Sequence, residues 1–130
     1  VSPPKLSTAV RMGVVSILPL NSLLASTSRW AIGADPSVQE KCGAWFTTLM
    51  QGTIPKVAFP KFITPEQKQS IKVPVLLFLG TKDNVVGDYE KAVDNGQRFP
   101  DVQIEVLDSG HLIGVEYADT VNKRMAEFLD

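Results

Sequence analysis

The sequence is short of several residue types that common classes of protein require. Its single cysteine, Cys42, cannot form an intramolecular disulfide, and its single histidine, His111, cannot join a Cys/His zinc cluster. The 13 Lys and Arg residues are balanced by 14 Asp and Glu residues, and no basic block occurs. These shortages exclude a structural zinc site and disfavour nucleic acid as a partner.

Long apolar runs are also missing. The longest, such as Val73 to Leu79, fall far short of the roughly 20 residues that span a bilayer, so we expect no membrane span. What is present is globular in composition, with 44% hydrophobic and 21% charged residues in a chain of 130. The chain opens with Val1 rather than Met, so we expect the true amino terminus to lie upstream, and we expect a cytoplasmic protein.

The first 70 residues predict helices and loops. Apolar residues recur at helical spacing, and the pattern Ser37-Val38-Gln39-Glu40 is typical of a capping box, as is Thr64-Pro65-Glu66-Gln67. The expected elements are a helix over Ser7 to Leu18, a short turn over Leu20 to Leu24, a helix from Ser37 to a stop at Gly52, and a short helix from Thr64 to Ser70.

From Ile71 onwards the pattern changes to alternating strands and helices. The continuous apolar run of Val73 to Leu79 is typical of a strand that is buried on both faces of a parallel sheet. The remaining elements are a helix from Tyr89 to Phe99 capped by Asp88, a strand over Val102 to Leu107, and a helix over Asp119 to Leu129. This β-α-β-α order predicts an α/β fold, and two strands leave a sheet edge that we expect residues outside this chain, or another chain, to cover.

Two residues that can carry chemistry follow the two predicted strands. Asp83 comes after a turn at Gly80, and His111 comes after Gly110. Functional groups of open α/β sheets lie outside the carboxyl ends of the strands, where neighbouring loops meet. The Asp83 carboxylate can accept the imidazole Nδ1 proton and leave Nε2 as a general base, which is half of a nucleophilic triad. Asp108 is the alternative acid.

The segment from Ile71 to Val86, together with Ser109-Gly110-His111 and Glu116, resembles the α/β-hydrolase family. The resemblance implies the carboxyl-terminal half of that fold, with its last two strands and the Asp83 and His111 of a triad. It implies that residues 71–130 belong to the hydrolase core. Residues 1–70 would be a helical lid that follows the truncated end of an earlier strand.

The family's nucleophile elbow, Gly-x-Ser-x-Gly, does not occur in the sequence. The resemblance therefore implies a serine hydrolase whose serine lies outside this chain. We expect a carboxylesterase or lipase-like enzyme that cleaves a partly apolar ester without a metal or a cofactor. Trp30, Trp45 and Phe46 are candidates for lining its acyl pocket, although packing of the lid onto the body would explain them equally well.

Two alternatives remain open at this point. The same fold can carry an aspartate nucleophile, which gives haloalkane dehalogenase or epoxide hydrolase chemistry in which His111 activates water. The chain can also belong to a noncatalytic ligand-binding protein. The expected partners are a small ester substrate and either the missing amino-terminal half of the fold or a swapped chain.

Overall fold

The computed structural model describes residues 6–18, 20–33, 35–52 and 63–130. Within these ranges the chain forms helices followed by two strands that alternate with further helices. In chain order the elements are α1 (Leu6–Ile17), α2 (Asn21–Ile32), α3 (Pro36–Gly52), α4 (Pro65–Ser70), β1 (Val75–Gly80), α5 (Tyr89–Gly96), β2 (Val102–Leu107), α6 (Ile113–Glu116) and α7 (Ala118–Leu129). None of the described helices is both long enough and apolar enough to cross a membrane.

The two strands are parallel and in register over their whole length. Val75 pairs with Val102 at one end, and Gly80 pairs with Leu107 at the other. Helix α5 connects the strands and packs against both. The carboxyl ends of β1 and β2 therefore lie side by side, and the predicted parallel β-α-β-α unit is confirmed.

Strand β1 begins two residues later than predicted. Pro74 has no backbone N–H to donate, and the first rung is the hydrogen bond from the Val75 N–H to the Asp101 carbonyl, at 3.0 Å. Val73, which was expected to be part of the strand, is 66% exposed. A proline before a strand therefore sets where its hydrogen-bond ladder starts.

The described residues alone do not cover β1 on both faces. Only Leu79 and Gly80 are buried, and the four preceding residues of the strand are half-buried. An apolar cavity of about 310 Å³ lies between β1 and α7. Its lining residues are Leu76, Phe78, Met125, Phe128 and Leu129. The described part of the chain does not supply enough layers to cover the strand.

Helix α5 ends at Gly96 rather than at Phe99. A Cβ atom at Gly96 would lie 2.8 Å from Leu77 Cδ2 and 3.0 Å from Ile104 Cδ1, so the glycine lets the helix end close onto the sheet. Asp88 caps the start of the helix as predicted, since its carboxylate accepts from the Lys91 N–H at 3.2 Å. The helix therefore ends where Gly96 contacts the sheet, before Pro100 is reached.

Helix α2 is much longer than the short turn predicted for this region. Its buried face contains Leu24 and Ile32 together with the polar Thr27 and Ser28. The Ser28 hydroxyl donates to the Leu24 carbonyl at 2.8 Å and lies 3.2 Å from the Thr47 hydroxyl of α3. Packing against α3 therefore supports a helix whose apolar pattern is weak.

The two capping-box predictions have different outcomes. At α4 the Thr64 hydroxyl accepts from the Gln67 N–H, and the Gln67 side chain accepts from the Thr64 N–H, so that box is confirmed. At α3 the prediction is wrong, because Ser37 lies inside the first turn. The Asp35 carboxylate accepts from the Ser37 N–H at 2.7 Å, so an acidic residue upstream performs the capping.

Candidate active site

The loops that follow β1 and β2 are joined by backbone hydrogen bonds. The Thr81 N–H donates to the Leu107 carbonyl at 2.9 Å, and the Lys82 N–H donates to the Ser109 carbonyl at 3.0 Å. A Cβ atom at Gly80 would overlap the Ser109 carbonyl and lie 2.7 Å from the Gly110 carbonyl oxygen. Glycine at the end of β1 thus permits the close approach of the two loops.

Asp83 is a buried carboxylate with hydrogen bonds to both of its oxygens. It is 5% exposed. Oδ1 accepts from the Val85 and Val86 N–H groups at 2.8 and 2.9 Å, and Oδ2 lies 2.9 Å from His111 Nδ1. Burial by itself raises the pKa of Asp83, but the hydrogen bonds from His111 and the two amides outweigh it and leave the pKa below its usual value.

His111 is the partner of this carboxylate. The hydrogen bond to Asp83 raises the pKa of the imidazole, and partial burial opposes that effect without cancelling it. The side chain is 44% exposed, and among the described residues Asp83 is its hydrogen-bond partner. With Nδ1 held by the carboxylate, Nε2 faces away from Asp83 and is available to exchange a proton with another group.

Asp108, the alternative acid, is held elsewhere in the structure. It accepts from the Thr81 hydroxyl at 3.0 Å and from Lys82 Nζ at 2.7 Å. These hydrogen bonds, that from Lys82 first, lower the pKa of Asp108. The structure therefore brings Asp83, rather than Asp108, to the imidazole of His111.

The three aromatic candidates for the acyl pocket are less informative. The Trp30 carbonyl accepts from Asn84 Nδ2 at 3.0 Å, next to Asp83 in the chain, and its ring lies 5.2 Å from the Arg11 guanidinium. Trp45 is 63% exposed. The Phe46 side chain lies outside what the structure describes. Their role in substrate binding stays a prediction.

Sequence reasoning assigned no task to Glu116 or to the end of α2. Glu116 Oε2 accepts from the Ser109 hydroxyl at 2.6 Å and from the Gly110 N–H at 2.9 Å. The Leu112 N–H donates to the Ile32 carbonyl at 3.1 Å. The only signal in the sequence was the position of Glu116 in the resemblance, because the contact with α2 joins segments far apart in sequence.

The described residues offer no cluster of three or more His, Cys, Asp or Glu side chains that could hold a metal ion. The chemistry that the arrangement can perform is proton exchange at His111 Nε2, assisted by the negative charge of Asp83.

Comparison with solved structures identifies the architecture. The chain matches naproxen esterase (carboxylesterase NP) from Bacillus subtilis with a TM-score of 0.74 and 20% identity, over 98% of this chain and 47% of that one. It matches the esterase EaEST from Exiguobacterium antarcticum with a TM-score of 0.68 and 19% identity, over 94% of this chain and 47% of that one. The chain has the α/β-hydrolase fold. It corresponds to the carboxyl-terminal part of that fold, as the sequence predicts.

Two curated carboxylesterases of Bacillus subtilis are similar to the chain in sequence. An uncharacterised carboxylesterase, Nap, is 35% identical over 74 residues, and carboxylesterase YbfK is 32% identical over 72 residues. Each match covers 55% of this chain and 24% of the relative, so the matched segment spans about a quarter of the length of these relatives. No family model matches the chain.

Proposed function

We propose that this α/β-hydrolase chain supplies the acid and the base of a carboxylesterase. The observation that carries the proposal is the 2.9 Å hydrogen bond between Asp83 Oδ2 and His111 Nδ1, at the carboxyl ends of two parallel strands. The named carboxylesterases among its relatives support the reaction class. A serine outside this chain completes a Ser-His-Asp triad.

In the proposed mechanism His111 first accepts a proton as a general base and then donates it as a general acid. Nε2 takes the proton of the serine hydroxyl while the serine oxygen bonds to the ester carbonyl carbon. The imidazolium then gives that proton to the departing alcohol as the acyl carbon–oxygen bond breaks. Water repeats the cycle and releases the acid. Asp83, which is buried and ionised, holds the ring in the required tautomer and stabilises the imidazolium.

We propose that the two parts of the chain have the separate roles that the resemblance implied. Residues 71–130 form part of the core and carry the acid and base, and residues 1–70 form a lid that covers a partly apolar ester. The backbone contact of Trp30 with Asn84 supports a location of the helical region next to the site. An apolar cavity lies between β1 and α7, and β1 is only half-buried. Both observations support the proposal that residues outside this chain add further strands to the sheet and supply the nucleophile.

The nucleophile can be identified by covalent labelling of the protein that contains this chain. A fluorophosphonate phosphonylates a serine hydroxyl that a neighbouring base activates, with loss of fluoride, and peptide mass spectrometry locates the adduct. We expect a labelled serine outside residues 1–130, and we expect His111→Ala to abolish both labelling and ester hydrolysis. Asp108→Asn is the matched control, because its carboxylate contacts Thr81 and Lys82 rather than the imidazole.

Other outcomes would contradict the proposal in different ways. A label on Ser109 would place the nucleophile inside the chain, although that hydroxyl is buried and bonded to Glu116. Turnover without labelling, together with a covalent ester on an aspartate, would indicate dehalogenase or epoxide hydrolase chemistry. Absence of both labelling and turnover would indicate a noncatalytic protein.

A further inference from the structure

The loop that carries His111 is hydrogen-bonded to the carboxylate of Glu116. Glu116 Oε2 accepts two hydrogen bonds from this loop, from the Ser109 hydroxyl at 2.6 Å and from the Gly110 N–H at 2.9 Å. Ser109 is fully buried, and Gly110 is buried as well. Because the two donors immediately precede His111, Glu116 fixes the backbone from which the imidazole projects.

The loss of this acceptor would leave the Gly110 N–H without its partner, whereas the Ser109 hydroxyl would keep the Gly110 carbonyl as an acceptor at 3.2 Å. An unsatisfied buried donor is unfavourable, so the loop would rearrange to satisfy the Gly110 N–H. Gly110 is free to adopt other backbone conformations, since glycine lacks a Cβ atom. Any such rearrangement would move His111 relative to Asp83, which the hydrogen bonds from Val85 and Val86 hold in place.

The same carboxylate lies against the end of α2. Gly33 has a φ of +145°, a conformation that favours glycine, and a Cβ atom there would overlap Glu116 Oε1 and lie 3.0 Å from Gly110 Cα. The neighbouring Ile32 carbonyl accepts from the Leu112 N–H. The end of α2 and the histidine loop therefore approach closely, and glycine at position 33 leaves space for the carboxylate.

We propose that Glu116 is a positioning residue for His111, and that Gly33 is required because the Glu116 carboxylate occupies the space of a side chain at that position. The name positioning residue rests on the proposed function of His111 as a base. The hydrogen bond between His111 and Asp83 can nevertheless be measured without turnover, so the two proposals can fail separately.

The test compares Glu116→Ala, Glu116→Gln and Gly33→Ala in the folded protein that contains this chain. Proton NMR detects the Nδ1 proton shared by His111 and Asp83, and a titration of the imidazole resonance gives the His111 pKa. A His111→Gln spectrum assigns both signals by their disappearance. Glu90→Ala is the matched control, because Glu90 is an exposed residue of α5 outside the site.

We expect Glu116→Ala to weaken the Nδ1 proton signal and to move the His111 pKa down towards about 6.5, the value of a free imidazole. The turnover number should fall by about 10²-fold, as for a displacement of a reacting group by about 1 Å, with little change in KM. Gly33→Ala should act in the same direction because it displaces the carboxylate. Glu116→Gln should retain the signal, since its carbonyl oxygen can occupy the Oε2 position.

The proposal is overturned if Glu116→Ala folds cooperatively and leaves both the Nδ1 signal and the pKa unchanged. It is also overturned if Glu116→Gln loses the signal as completely as Glu116→Ala, because a retained acceptor should rescue it. Should Glu116→Ala not fold, Gly33→Ala decides, since that variant keeps the carboxylate. A lost Nδ1 signal with undiminished ester hydrolysis would support the positioning of His111 and contradict its catalytic role.

Discussion

Replacement of Asp83 by asparagine tests the candidate site most directly, because the structure fixes how the new amide would orient. Asp83 Oδ1 accepts from two backbone N–H groups, those of Val85 and Val86. An asparagine keeps both bonds only if its carbonyl oxygen takes that position. Its NH₂ group then points at His111 Nδ1 and donates to it, so the imidazole proton must reside on Nε2, where a general base needs a lone pair.

The size of the effect follows from the cost of the opposite orientation. Turning the amide to accept from Nδ1 would leave two partly buried N–H groups, those of Val85 and Val86, facing an NH₂, at up to about 1–3 kcal/mol each. A total of about 2–6 kcal/mol corresponds to a decrease of roughly 30-fold to 2 × 10⁴-fold in the productive tautomer. The upper part of this range agrees with the loss of about 10⁴ known for the equivalent change in a Ser-His-Asp triad.

The assay is hydrolysis of an activated ester by the protein that contains this chain, with Asp108→Asn as the control. We expect Asp83→Asn to fold normally, since the side chains are nearly equal in size, and to lose up to about 10⁴ in turnover. Asp108→Asn should change turnover little, because that carboxylate is exposed and bonded to Thr81 and Lys82. Equal losses in the two variants, or a loss confined to Asp108→Asn, would refute the assignment of the acid.

Three further expectations follow from the same geometry. The proposed base must be neutral to act, and the pKa of His111 is raised, so kcat/KM should fall as the pH decreases through a value above about 6.5. Asp83, whose pKa is lowered, stays ionised in that range. Asp83→Asn should shift this fall to lower pH, and an unshifted pH profile would argue against the pair. In stability, the contribution of His111 is present below about pH 6.5 and is lost as the pH rises through its raised pKa, whereas that of Asp83 is present above about pH 3.9 and is lost as the pH falls through its lowered pKa. Gly80→Ala should cost about 1–3 kcal/mol in denaturant unfolding, because its Cβ meets the Gly110 carbonyl, whereas Gly114→Ala, with nothing within 4 Å, should be neutral; equal effects would contradict the close approach of the loops. The 130-residue chain alone should self-associate in sedimentation and give no acylation burst, and a monomer with ester turnover that His111→Ala abolishes would disprove this.

The carboxyl-terminal part of the fold could be predicted closely because local signals agree there. Strand β2 covers the predicted Val102 to Leu107, since turn residues bound its apolar pattern on both sides. Asp83 and His111 could be paired from the sequence, because they follow adjacent strands whose carboxyl ends meet at one edge. Where a prediction was wrong by two residues, at the start of β1, the missing N–H of Pro74 explains the difference.

The helical part and the support of the histidine were harder to predict because they depend on contacts between distant segments. Helix α2 buries Thr27 and Ser28, which a search for apolar periodicity passes over, and its packing against α1 and α3 favours the helix. Glu116 lies in a short helix, and glutamate is a common residue on protein surfaces, so its residue type alone indicates no special role. Its two hydrogen bonds and its contact with Gly33 depend on the meeting of α2 with the histidine loop.

These contacts also determine what each experiment can decide. The imidazole of His111 is hydrogen-bonded to Asp83, its loop is bonded to Glu116, and that loop is bonded to the end of α2, so contacts within this chain set the position of the proposed base. The nucleophile has no part in any of these contacts. The pH profile of kcat/KM and the Nδ1 proton signal therefore report on His111, whether the residues outside this chain supply a serine or an aspartate. Covalent labelling reports on the nucleophile alone. A result that separates the two would mean that the proton-transfer pair is correctly assigned and that only the attacking group must be revised.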